Sequence, residues 1–215
     1  MVKKSFIDTL FQNARNPKGF LGRLVLRGMN SGHASLSRWG MSQLEWQPDW
    51  SVLDIGCGGG ANLSEILRRC PGGKAYGVDL SWESVGFARR KNKKHLGTRC
   101  FVEQGTADRL PCDKGMFDAV TAFETVYFWS DLPRAFAEVA RVLRPKGYFL
   151  ICCEAGDPAD ETWTRRIEGM VIHPAEELEA LLTEAGFGDI AVCRRKKKEL
   201  CIVARKQSIT KLKKK

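Results

Sequence analysis

From residue 52 onward, short apolar runs alternate with amphipathic stretches, and this alternation predicts the architecture. Apolar runs at 52–55, 75–78, 99–104, 117–123, 147–153, 188–194 and 200–205 read as strands. Helical periodicity fills about 60–70, 82–96, 131–143 and 174–185; Pro174 suits a first helical turn and Gly186 a stop. Strands separated by helices lay down parallel pairs, because the helix carries the chain back across the sheet. Only residues 195–199 separate the last two runs, too few for a crossover, so these strands are predicted to form an antiparallel hairpin. The pattern therefore predicts an α/β fold: a seven-stranded, mostly parallel sheet with helices on both faces and a C-terminal antiparallel hairpin.

Before residue 50 the periodicity weakens, interrupted by Gly19, Gly22, Gly28, Gly32 and Gly40. Residues 1–48 are expected to form a helical lid, 49–206 the main domain and 207–215 a disordered basic tail. A chain of 215 residues with 43% hydrophobic content suits one core. The net charge of +10 suggests nucleic acid until it is located. Residues 194–215 hold eleven Lys or Arg and one acid, leaving 24 of each sign in residues 1–193. The body is balanced, and the basic end reads first as a solvated turn and tail. Eight cysteines at 57, 70, 100, 112, 152, 153, 193 and 201 contain no Cys-x-x-Cys pair and accompany three histidines, so neither a zinc site nor a redox dithiol is expected. Those in apolar runs read as small reduced hydrophobes. With no membrane-length apolar stretch and no leader expected, the reading is a cytoplasmic protein.

Three ordered signals carry the candidate chemistry. Val52-Leu53-Asp54-Ile55 runs into Gly56-Cys57-Gly58-Gly59-Gly60-Ala61 and then a helix, a turn that lets backbone approach a ligand closely. Gly56-x-Gly58-x-x-Ala61 also satisfies the dinucleotide fingerprint of dehydrogenases. The second strand ends at Asp79, 25 residues after Asp54, where an acid accepts hydrogen bonds from ribose hydroxyls; Ser81 beside it reads equally as a helix cap. After the third strand, Gly105-Thr106-Ala107-Asp108 supplies an acid for an exocyclic adenine amine, with Leu80 and Ala107 placed to sandwich the ring.

Together with Leu110-Pro111, Phe117-Asp118-Ala119-Val120 and Glu138-Val139-Ala140-Arg141-Val142-Leu143-Arg144-Pro145-Lys146-Gly147, these segments resemble class I S-adenosylmethionine-dependent methyltransferases of the methyltransferase-11 type, over about residues 50–190. The resemblance implies a Rossmann-like fold with S-adenosylmethionine as cofactor. It implies that Gly56 and Gly58 approach the methionine end, Asp79 the ribose and Asp108 the adenine amine, while Phe123 lines the sulfonium site. Asp54, Cys57, Leu80 and Ala107 complete the expected cofactor-binding set. Lys146 stands where the family usually has glycine, a change expected to affect only that turn.

Methyl transfer from a sulfonium is an in-line displacement, which needs positioning and a dry pocket rather than a metal or a triad. If the acceptor loses a proton, Tyr127, Glu154, His33 and His173 are candidates to assist. Phe123, Tyr127, Phe128 and Trp129 at and after the end of the fourth strand and Trp163 after the fifth point to a small apolar or aromatic acceptor, while Arg165 and Arg166 read first as surface partners of Glu161 and Glu168 rather than as contacts for an anionic substituent. Glu124-Thr125-Val126-Tyr127 lacks the Pro-Pro-aromatic signature of amino-directed nucleic-acid enzymes, and Cys112 precedes the fourth strand, so it reads as structural. Three rival readings stay open. They are an RNA- or membrane-associated methyltransferase using the basic end, a nicotinamide-dependent oxidoreductase, and a cofactor-binding module without catalysis.

Overall fold

The computed structural model describes residues 33–196 and 198–208. Seven strands, β1 (Ser51–Ile55), β2 (Lys74–Asp79), β3 (Cys100–Gln104), β4 (Phe117–Phe123), β5 (Leu143–Cys153), β6 (Phe187–Arg195) and β7 (Glu199–Lys206), form one sheet ordered β3-β2-β1-β4-β5-β7-β6. Strands β3 to β5 pair in parallel, whereas β7 runs antiparallel to both β5 and β6. Inserting β7 between β5 and β6 departs from the 3-2-1-4-5-6 order of dinucleotide-binding dehydrogenases.

Helices α1 (Ala34–Met41), α2 (Ala61–Arg69) and α3 (Trp82–Lys91) cover one face; α4 (Leu132–Val142) and α5 (Ala175–Glu184) cover the other. Alternation along β1 explains the two cores. Leu53 and Ile55 pack with Phe136, Val139, Leu178 and Leu182, while Val52 packs with Leu63, Ile66, Val85 and Ala88. Local chemistry places the helix starts. Asp131 caps α4 by accepting the Arg134 N–H at 2.9 Å, and Ser81 caps α3 by accepting that of Ser84.

Three sequence expectations change. Helix α3 stops at Lys91 rather than near 96, because the buried Asn92 side chain donates to the carbonyls of Gly60 and Ala88, 3.0 Å away in each case, and leaves the helical path. Strand β5 begins at Leu143, directly after α4, with Lys146 in the left-handed region at φ 65°. A Cβ on Gly147 would lie 2.9 Å from the Asp118 carbonyl, so the turn is taken at Lys146 while glycine keeps the next position. Finally, α1 and the segment after it pack as part of the core, with Leu36, Met41 and Leu44 buried. A Cβ on Gly40 would lie 2.7 Å from Cys152 Sγ. The rest of the expected lid, residues 1–32, and tail residues 209–215 lie outside the described residues.

Candidate active site

Parallel strands deliver their C-terminal tips to one rim, and a cleft of about 450 Å³ opens there. The turn after β1 is held by sterics. Gly56 has φ 73°, and a Cβ on it would stand 2.3 Å from Thr125 Oγ1; Gly60, at φ 75°, would press on Ala88 Cα at 2.8 Å. The Gly56 N–H donates to the Val78 carbonyl at 2.7 Å, fastening the turn to β2. Asp79 closes the arrangement. Its Oδ2 accepts the Gly58 N–H at 2.8 Å and its Oδ1 the Ser81 N–H at 2.9 Å, leaving lone pairs on both oxygens for a ligand. Burial raises the Asp79 pKa, and the Ser81 and Gly58 N–H bonds oppose that.

Asp54 lies beneath this turn, 1% exposed. Its Oδ1 accepts the Thr121 hydroxyl at 2.7 Å, while Oδ2 is buried with no partner. Burial pushes its pKa up to about 7; the Thr121 bond opposes the shift and Asp79 adds to it. Asp54 is not among the residues that line the cleft, so it supports the turn from beneath, whereas Asp79, which lines the cleft beside a glycine cradle that a Cβ would fill, fits a ligand bearing hydroxyl donors, which S-adenosylmethionine has.

Gly56, Cys57, Gly58, Asp79, Leu80, Ala107, Asp108 and Phe123 all border the cleft. Leu80 is 51% exposed, and the Thr106 hydroxyl bonded to Asp108 holds that carboxyl below its ordinary range. Of the residues considered for proton handling, His33 borders the cleft, whereas Tyr127, Glu154 and His173 are not among its lining residues. The Tyr127 hydroxyl is occupied, accepting the Ala155 N–H at 2.9 Å and donating to Glu124 Oε1 at 3.2 Å. His173 meets Glu177 at 3.1 Å, and Arg165 pairs with Glu161.

Glu124 was not singled out from the sequence, although a carboxylate directly after a buried strand was the available signal. It follows β4 at φ 58°, lines the cleft, and its Oε1 also accepts the Glu154 N–H. Burial pushes its pKa up to about 8, countered by the Glu154 N–H bond. Burial lowers the pKa of His33 and Glu154 opposes the shift. Thr125 is the second unforeseen member, packed under Gly56 and accepting Trp129 Nε1–H at 3.2 Å.

Comparisons with known proteins agree with this geometry. Residues 53–151 match the family model described as a methyltransferase domain. Demethylmenaquinone methyltransferase of Chlorobaculum tepidum is 31% identical over 67% of this chain and 57% of its own length. The first curated relatives are longer proteins, of which the chain spans 33% to 46%. The methyltransferase in a complex with the Trm112 activator from Haloferax volcanii superposes with a TM-score of 0.75 at 21% identity, covering 85% of this chain and 93% of that one. Geranyl diphosphate C-methyltransferase of Streptomyces coelicolor, solved with S-adenosyl-L-homocysteine, gives a TM-score of 0.70 at 18% identity over 80% and 76%. At such identities these two structures establish the fold. Glycine turn, strand-end acid, sheet order and family match converge: residues 53–151 form a methyltransferase domain, and the fold around them is that of the class I S-adenosylmethionine-dependent methyltransferases.

Proposed function

We propose that the protein transfers a methyl group from S-adenosylmethionine to a small, apolar or aromatic acceptor. The carrying observation is Asp79, fixed through two backbone N–H groups beside a turn that only glycine can form. The cofactor supplies a methyl group on a sulfonium, which leaves as a neutral thioether when a nucleophile attacks in line. In this reading Asp79 accepts the ribose hydroxyls, Gly56 and Gly58 admit the methionine end, Leu80 and Ala107 flank the base, and Asp108 takes its amine. Phe123, Phe128 and Trp129, all on the cleft wall, exclude water and favour an apolar acceptor. The demethylmenaquinone and geranyl diphosphate enzymes carry names of small molecules with large apolar parts, which supports that class. No described helix is long and apolar enough to cross a membrane, and the eight cysteines are free and mostly buried, which supports a reducing compartment such as the cytoplasm.

Calorimetry with S-adenosylmethionine, S-adenosylhomocysteine and NAD tests the cofactor, and a labelled-methyl screen of phenols, quinones, amines, thiols and RNA tests the acceptor. Asp79→Ala is expected to weaken S-adenosylhomocysteine by about 1.5–3 kcal/mol, the loss of hydrogen bonds to a charged group. Unchanged affinity refutes the ribose assignment; preference for NAD refutes the whole reading.

A further inference from the structure

Where β4 and β5 end, side chains from three separated segments converge. His33 precedes α1, Glu124 follows β4 and Glu154 follows β5, and one ligand atom of each lies within 4.8 Å of the other two. His33 Nε2 is 3.9 Å from Glu124 Oε2 and 3.8 Å from Glu154 Oε2. Because Glu124 Oε1 accepts from the Tyr127 hydroxyl and the Glu154 N–H, the carboxylate plane is fixed with Oε2 toward the imidazole. Among the described residues neither carboxylate has a lysine or arginine ion pair, the neighbouring Lys198 being bonded to Asp160 and Arg195 to Glu199. The Glu124 side chain is only 14% exposed, so water cannot fully take the place of a cation.

Distances decide which cation fits. Three acceptors about 2.8 Å from an ammonium nitrogen, in tetrahedral directions, stand roughly 4.6 Å apart. Ligands about 2.0–2.1 Å from a tetrahedral metal ion stand roughly 3.4 Å apart. The observed 3.8 and 3.9 Å lie nearer the metal value, and the half-exposed Glu154 has room to close the remainder. A nitrogen ligand beside two carboxylate oxygens suits first-row divalent ions better than magnesium or calcium, which prefer all-oxygen shells.

We propose that His33, Glu124 and Glu154 form a binding site for a first-row divalent metal ion, of the manganese-to-zinc class, beside the cofactor cleft. Because His33 and Glu124 line that cleft, the open coordination positions face the space an acceptor would enter. The ion would there polarise an acceptor oxygen, a role that rests on the methyltransferase reading; the binding itself does not.

The test is titration of the metal-stripped full chain with MnCl2, followed by electron paramagnetic resonance, and with CoCl2, followed by visible absorption. One ion per chain is expected, with affinity at least about tenfold weaker in each of His33→Ala, Glu124→Gln and Glu154→Gln. The glutamines preserve side-chain volume, and thermal melting of each variant verifies its fold. No saturable uptake below roughly 1 mM overturns the site, as does wild-type affinity in the variants or a cobalt–thiolate charge-transfer band placing the ion on cysteine. Choline binding that depends on Glu124 without metal uptake overturns it in favour of an ammonium site. S-adenosylhomocysteine binding without metal uptake refutes this site alone; metal uptake without S-adenosylhomocysteine binding refutes the methyltransferase reading alone.

Discussion

Asp54 shows how a ligand site costs stability one residue at a time. In the unfolded chain its carboxyl releases a proton near pH 4, but in the folded protein only near 7. Between those values the folded state holds the extra proton, so stability falls as pH rises from about 4 to about 7 and stays low above that. Asp54→Asn is expected to remove this slope and to stabilise the ligand-free protein at pH 8 by several kcal/mol, on the order of 4 at most. Urea unfolding of both proteins at pH 5 and pH 8 measures it, and parallel pH profiles would refute the burial account. The motif around Asp54 was legible because glycine spacing is local. Its orphaned oxygen was not, because orphaning depends on Thr121, which lies 67 residues away, satisfying only one side.

Among the elements, strands were read most fully, since six of the seven runs fall within observed strands, the third begins one residue before β3, and the hairpin has the expected sense. The periodicity of α3 continues past its end, and what stops it is tertiary. Asn92, 4% exposed, donates to Gly60 and Ala88 and accepts the Ser64 hydroxyl at 2.8 Å, so one side chain joins α2, α3 and the glycine turn. Asn92→Ala is expected to cost about 2–3 kcal/mol, because buried groups lose their partners. It should also weaken S-adenosylhomocysteine binding by loosening the turn. Chemical denaturation and calorimetry read the two effects, and an unchanged stability would mean that water replaces the amide. His33 and Glu154 were legible singly as candidates, but their meeting with Glu124 was hidden: position 124 lies 91 residues after 33, and no spacing rule links the three.

Across the whole molecule, α1 joins the cleft to the core. His33, Ala34, Ser37 and Arg38 form one wall, while Leu36 and Met41 bury against the sheet and Trp39 lies under the Arg195 guanidinium at 4.8 Å. A purely peripheral lid would leave a sound domain when removed. Deletion of residues 1–45 is instead expected to cost several kcal/mol, since burying each large aliphatic side chain is worth about 1.5–3 kcal/mol. It should also abolish S-adenosylhomocysteine binding. Retention of wild-type melting and affinity in that truncation would show that α1 is dispensable.

The reversed course of β7 has a consequence for how such a protein can diversify. Because β6 runs out and β7 runs back, the basic bend between them returns to the strand-tip rim, where the Gly156 N–H donates to the Lys198 carbonyl at 2.7 Å. Residues added at that bend would reshape the entrance while the ladder behind it, from Leu200 opposite Cys153 to Arg205 opposite Tyr148, kept its register. New specificity can thus be grafted at the threshold without rebuilding the foundation.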